Sequence, residues 1–374
     1  MLRDAVAIID CGSSKITGLI GENSINNNYA IRAYSEQPSF SLSAGGIEDP
    51  DDFRASVSKV FNAITSSARA KITEVYFSVP GDFLQVRNIK SQIYFNKKKK
   101  LRQREVDEFL LEAKKDLLVS GYELIDYSGV QYFLDGQKKV TSLIGEASAT
   151  ISGITTFYFA KSNFIRLVKE LMSRLGVKTV HFVPVPLAES MLLFPEKDRF
   201  AFEVLLDIGT SVANFSIAYG GGILYNESFE IGGGYINAFL MQEFNLDTYE
   251  LAEKLKRKLN LTIPPESSGV YEVLDGDRML RFSQRACNQV AEGVITKLAE
   301  YVDTAIKNSN VRLPQDYNIS LTGGGIAYIR GAREYLFKLI GIPVNIVCPK
   351  ISYMAKPEET SKIAVLNYAL NGRK

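Results

Sequence analysis

Apolar and polar positions alternate in short runs along much of this chain, and glycine-rich turns separate the runs. Residues 5–10 and 16–20 read as two strands around the turn Asp10-Cys11-Gly12-Ser13-Ser14-Lys15, and residues 29–35 read as a third. The period then changes. Phe53, Val57, Val60, Phe61 and Ile64 fall on one face of a helix over 50–70, and Pro50, Asp51 and Asp52 suit its first turn. A strand over 75–79 ends at Pro80-Gly81.

Residues 80–159 differ in character and read as a small α+β unit inserted into a larger fold. A strand within 83–95 is broken by Lys97-Lys98-Lys99-Lys100, read as a solvated loop, and a helix follows over 103–118. Runs 123–128, 130–134 and 147–151 read as separate strands, with Asp135-Gly136 as a turn. Beyond the insertion come a strand (155–160), a helix (162–175), a strand (177–183) and a helix (186–193).

The opening plan then repeats. A strand over 202–207 meets the turn Asp207-Ile208-Gly209-Thr210-Ser211, followed by strands over 213–219 and 223–231 on either side of Gly220-Gly221-Gly222. Helices over 234–244, 247–258 and 283–309 precede a last strand, 317–321. This strand runs into Gly323-Gly324-Gly325, from which a helix is expected to reach Gly331.

Two strand–turn–strand clamps, each with an aspartate at its mouth, suit a Mg-nucleotide held between two similar lobes. The N–H groups of Gly12, Ser13, Ser14 and Lys15, and of Gly209, Thr210 and Ser211, would cup phosphates. Asp10 and Asp207 would hold Mg through water. Gly323, Gly324 and Gly325 would let the backbone approach base and sugar. Glu253 and Lys256 share a helix face and suit ribose and base, or a solvated ion pair. Gly233, after the strand ending near Ile231, reads as phosphate-proximal backbone or as a linker.

Composition narrows the alternatives. A chain of 374 residues is too long for one core. Its 46% hydrophobic and 23% charged residues are ordinary for a soluble globular protein, and a net charge of +2 does not suggest a nucleic-acid partner. Cys11, Cys287 and Cys348 lie far apart without a CxxC pair, which argues against a disulfide framework or zinc site and fits a reducing cytoplasm. His181 is the one histidine and sits in an apolar run, which argues against a histidine-based triad or a multi-histidine metal site and suggests a core or sheet-edge residue. The first four residues carry no signal-peptide pattern, and no apolar run approaches the roughly 20 residues that span a bilayer.

In this order, these residues resemble the actin-like ATPase superfamily: two ribonuclease-H-like lobes around a nucleotide cleft. Within it the chain resembles the FtsA family of bacterial cell-division proteins over nearly its whole length. The marks are DCGSSKITGLIGE (10–22), AGGIEDPDDF (44–53), REVDEFLLEAKKD (104–116), YFLDGQKKVTSLIGEASATISG (132–153), ELAEKLK (250–256) and SLTGGGIAYIRG (320–331). The insertion stands where FtsA-type proteins carry subdomain 1C. The resemblance implies subdomain 1A over 1–79 with 160–202 and 353–374, 1C over 80–159, 2A over 203–232 with 318–352, and 2B over 233–317. It further implies Mg-ATP binding, filaments of like subunits, the FtsZ C-terminal tail bound on 2B, and other division proteins bound through 1C. The location implied is the division site, on the inner face of the cell membrane.

The departures carry information. The family's second phosphate turn reads DIGGGTxD, whereas Thr210, Ser211 and Asn214 stand here. Val185 occupies a position where relatives often orient water with Glu or Gln; Glu189, one helical turn on, is the remaining candidate. Such losses lower rate rather than binding, so a slow ATPase at most is expected. The chain ends soon after 363–370, without the linker and amphipathic helix usual in FtsA, so membrane contact would need another anchor or a partner. The pilus adaptor PilM shares the architecture and is the rival reading; a small-molecule kinase on the same fold is the third.

Overall fold

Two five-stranded sheets repeat one plan in the computed structural model, which describes residues 5–371 apart from 25–27, 70, 116, 196–198 and 352. The chain's first four residues, read above as carrying no signal-peptide pattern, and its last three lie outside the described residues. The first sheet is built from β1 (Val6–Cys11), β2 (Lys15–Asn23) and β3 (Tyr29–Pro38), then, past the short β4 (Leu42–Ser43), β5 (Gly46–Ile47) and helix α1 (Pro50–Ala68), from β6 (Glu74–Val79). The inserted stretch carries β7 (Leu84–Lys100), α2 (Gln103–Lys114), β8 (Tyr122–Leu134), β9 (Lys138–Val140) and β10 (Ala147–Lys161). Helix α3 (Ser162–Arg174), β11 (Thr179–Pro184) and α4 (Val185–Leu193) complete the first half.

The second half supplies β12 (Glu203–Ile208), β13 (Ala213–Tyr219), β14 (Gly222–Phe229), α5 (Gly233–Phe244) and α6 (Tyr249–Lys256). The hairpin β15 (Val270–Asp275) and β16 (Arg278–Ser283), α7 (Gln284–Asn308), β17 (Ile319–Thr322), α8 (Ala332–Ile340), β18 (Val344–Ile346) and α9 (Thr360–Asn371) follow.

The strand orders are β11-β6-β1-β2-β3 and β14-β13-β12-β17-β18. In each sheet the first strand is central. It pairs antiparallel with its hairpin neighbour and parallel with a strand that returns through a crossover. Both faces of the first sheet are covered. Ile9 packs with Phe53, Phe77 and Phe164 under α1 and α3, while Ile8 packs with Ile363 and Leu366 of α9. A strand buried on both faces needs a continuous apolar run, as 5–9 is.

The inserted sheet, β7-β10-β8-β9, is covered by α2 through Val106, Phe109 and Leu110. Here the structure corrects the sequence reading. β8 and β10 are unbroken, so 123–134 and 147–160 are not separate runs. Gly129 and Gly153 make room instead of turning the chain. A Cβ at either would lie 2.3 Å or 2.7 Å from the ring of buried Tyr132, which Gly153 faces in register. The lysine run is strand, not loop. β10 pairs with β7 as far as Lys100, and Lys99 and Lys98 meet Glu105 (3.2 Å) and Asp135 (3.5 Å).

Two further corrections lie in the second half. Residues 323–331 are not helical; Gly331, at φ 83°, is the N-cap of α8 instead. The hairpin β15–β16 was not anticipated, although Gly276 (φ 55°) between alternating runs marks it. His181 lies on the edge strand β11, with Nε2 2.5 Å from Glu74 and its ring stacked on Tyr76.

Candidate functional site

The hairpin turns of the two sheets face each other across a cleft of about 440 Å³. Each turn closes on itself in the same way. Gly12 N–H donates to the Lys15 carbonyl at 3.0 Å, and Gly209 N–H donates to the Val212 carbonyl at 2.9 Å. These two N–H groups are therefore committed to their turns and do not face the cleft as donors, contrary to the sequence expectation. Among the described residues, no acceptor engages the N–H groups of Ser13, Ser14 and Thr210. The Ser211 N–H donates to Ser13 Oγ at 3.0 Å, directly linking the two turns.

Other glycines brace the second turn from behind. Gly233 N–H donates to the Gly209 carbonyl, Gly234 N–H to the Thr210 carbonyl and Gly325 N–H to the Ile208 carbonyl. A Cβ at Gly233 would lie 2.2 Å from the Gly325 carbonyl oxygen, so only glycine permits this approach. Gly233, Gly325 and Ser211 thus support the cleft without lining it. Asp10, Gly12, Ser13, Ser14, Lys15, Glu189, Asp207, Gly209, Thr210, Glu253, Lys256, Gly323 and Gly324 do line it.

Three carboxylates look into one space. Asp10, next to last in β1, accepts from Ser361 Oγ at 2.8 Å. Burial raises its pKa, against the hydrogen bonds of Ser361 and Ser78 and the charges of Lys362 and Lys15. Asp207, next to last in β12, is pushed up to about 7 by burial and then by the charge of Asp10. Glu189 on α4 is raised well above the carboxylate range by burial first and by Asp207 and Asp10 next. It is 1% exposed, and among the described residues neither of its oxygens has a hydrogen-bond partner. Excess buried negative charge with an orphaned carboxylate fits a divalent cation. Among the described residues no three His, Cys, Asp or Glu side chains group closely enough to hold a metal ion by themselves.

The opposite wall belongs to α6. Glu253 pairs with Lys256 at 2.7 Å and Arg257 at 2.9 Å, and accepts from Asn237 and Tyr328. Burial alone would raise its pKa, but Lys256, Asn237 and Arg257 outweigh burial and hold it low. Lys256 is 3% exposed and donates to the Gly233 carbonyl. The ion pair and the cleft position are thus both real. Lys15 is likewise held by Glu36, at 2.8 Å. Cleft residues that pattern reading missed include Phe40, Asp82, Tyr249, Ser361 and Lys362. They sit in loops or at helix starts, where no periodicity marks them.

No family model matches the chain. Among curated proteins it is similar to the cell division protein FtsA of Neisseria meningitidis serogroup B: 22% identical over 355 residues, covering 92% of this chain and 84% of that protein. Among solved structures it resembles one described as a PilM-PilN type IV pilus biogenesis complex, with TM-score 0.67 and 16% identity over 98% of both chains. It also resembles MreB5 of Spiroplasma citri bound to ADP, with TM-score 0.56 and 12% identity over the whole of both chains. The chain has the actin-like ATPase fold. In this actin-like frame the cleft described above lies between the two repeated sheets, and among the described residues no helix is long and apolar enough to cross a membrane.

Proposed function

We propose that this chain is an FtsA-like scaffold of cell division that binds Mg-ATP in the interlobe cleft. The observation that carries the reading is the similarity to an FtsA protein over 92% of the chain. The duplicated turns and the unbalanced carboxylates support it. Asp10 and Asp207 hold Mg through water, and the N–H groups of Ser13, Ser14 and Thr210 face the phosphates. Glu253, Lys256 and the backbone of Gly323 and Gly324 bound the ribose and base.

Bound Mg neutralises phosphate charge. Val185 orients no water, and Glu189 is the buried carboxylate nearest that role, so turnover is slow. The chain divides as above into 1A, 1C, 2A and 2B. Nucleotide state biases the angle between lobes and hence self-association into filaments. Subdomain 2B binds the FtsZ C-terminal tail, and 1C binds other division proteins. The scaffold works at the division site on the inner face of the membrane, reached through a partner or another anchor.

A second reading, a PilM-like adaptor of a pilus or secretion assembly, is favoured by the structural likeness over 98% of both chains. Fluorescence anisotropy with two labelled peptides separates them: an FtsZ C-terminal tail and the cytoplasmic segment of a pilus inner-membrane protein. Binding of the first, with ATP-dependent pelleting of filaments, supports the division reading. Binding of the second alone replaces it.

A further inference from the structure

The cleft is bridged at its rim as well as at its phosphate end. Phe40, from the loop between β3 and β4, meets Tyr249, the first residue of α6, with ring centroids 5.8 Å apart and planes at 70°. The two rings come from opposite lobes, and both line the cleft. Phe40 is 59% exposed, although Ser39, Ser41 and Leu42 around it are buried. Its loop is fixed. Ser39 N–H donates to the Ser14 carbonyl at 3.0 Å, Ser39 Oγ donates to Asp52 at 2.7 Å, and Glu48 N–H donates to the Ser41 carbonyl at 2.8 Å. A rigid loop thus holds one large apolar side chain in solvent, against a ring of the other lobe.

We propose that Phe40 and Tyr249 form an aromatic latch across the mouth of the cleft, and that it sets how fast a nucleotide enters and leaves. The inference rests on the nucleotide reading above. The latch is anchored at both ends to the elements that would hold the ligand. Ser39 ties Phe40 to the first phosphate turn, and Tyr249 opens the helix that carries Glu253 and Lys256. An edge-to-face pair contributes about 0.5–1.5 kcal/mol beyond burial, which corresponds to a rate change of roughly two- to tenfold.

Two measurements test it. The chain has no tryptophan, so Phe40→Trp introduces a single tryptophan, which red-edge excitation separates from the 19 tyrosines. Its emission should shift to the red when Tyr249→Ala is added, without any ligand. Stopped-flow mixing with fluorescent Mg-ATP should show faster entry and release in Phe40→Ala and Tyr249→Ala, by several-fold. Tyr249→Phe should keep wild-type rates, because the contact uses the ring and not the hydroxyl. Unchanged emission, or unchanged rates in both alanine variants, overturns the latch. Wild-type protein that binds no Mg-ATP overturns the nucleotide reading and the latch's role together, while the emission shift still reports whether the lobes touch there.

Discussion

The backbone N–H of Ser211 donates to Ser13 Oγ at 3.0 Å, joining two turns that lie 198 residues apart in sequence. On the proposed reading a phosphate held by the N–H groups of Ser13, Ser14 and Thr210 covers this link from solvent. A neutral hydrogen bond of this kind contributes about 1 kcal/mol. Ser13→Ala should therefore speed amide exchange at Ser211 about fivefold in ligand-free protein. Saturating Mg-ATP should erase the difference. Equal exchange in both proteins without ligand would mean that the link does not form.

The buried carboxylates set a pH dependence. Asp207 is pushed up to about 7 in the folded protein by burial and by Asp10, and Glu189 is raised well above the usual carboxylate range by burial and by Asp207 and Asp10. A carboxyl whose folded value exceeds its unfolded value, about 4, binds more protons when folded. Its contribution to stability is complete below about 4 and is lost as pH rises through 7. Ligand-free protein should melt at a lower temperature at pH 8 than at pH 5, and Asp207→Asn should flatten that slope. Mg²⁺ should restore more stability at pH 8 than at pH 5. Thermal melts across this range would contradict the account if the slope were absent.

Glu189 holds two unpartnered oxygens in a buried wall. Replacing it with an apolar side chain of similar length removes the desolvation cost, roughly 1–3 kcal/mol. Glu189→Met should raise the urea midpoint of the ligand-free protein while lowering any ATP turnover. A lower midpoint would show that the carboxylate has a partner and is not held in reserve for a ligand.

Two glycines of similar backbone conformation separate strain from docking. Gly220 (φ 60°) lies where a Cβ would sit 1.7 Å from the Val130 carbonyl oxygen of the inserted sheet, and Gly276 (φ 55°) faces open space. Gly276→Ala should cost roughly 1–2 kcal/mol from the left-handed backbone alone. Gly220→Ala should cost at least roughly 1–3 kcal/mol more, through overpacking where the inserted sheet meets β14. Equal losses in urea unfolding would argue that this contact contributes little.

The architecture was legible where period and punctuation agree. The hairpin around Asp10 to Lys15, its repeat around Asp207 to Ser211, and the apolar face of α1 all follow from local pattern, and they locate the cleft. Misreadings arose where a residue serves a distant partner. Gly129 and Gly153 read as breaks because the Tyr132 ring that fills their space belongs to the tertiary fold. The lysines of β7 read as loop because Glu105 and Asp135, which offset their charge, lie on other elements. The turn N–H groups could be named from sequence, but which of them the turns themselves consume could not. Phe40 and Tyr249 carry no signal at all until the lobes are placed face to face.

On the proposed reading the cleft between the repeated lobes binds Mg-ATP. Calorimetric titration of wild-type protein and of Asp10→Ala decides whether it does. Micromolar binding is expected in the wild type, lost or weakened at least about 100-fold in Asp10→Ala, a difference of roughly 3 kcal/mol. Absence of heat in the wild type, or equal affinity in both proteins, would contradict it and leave a scaffold that keeps the fold without using its cleft.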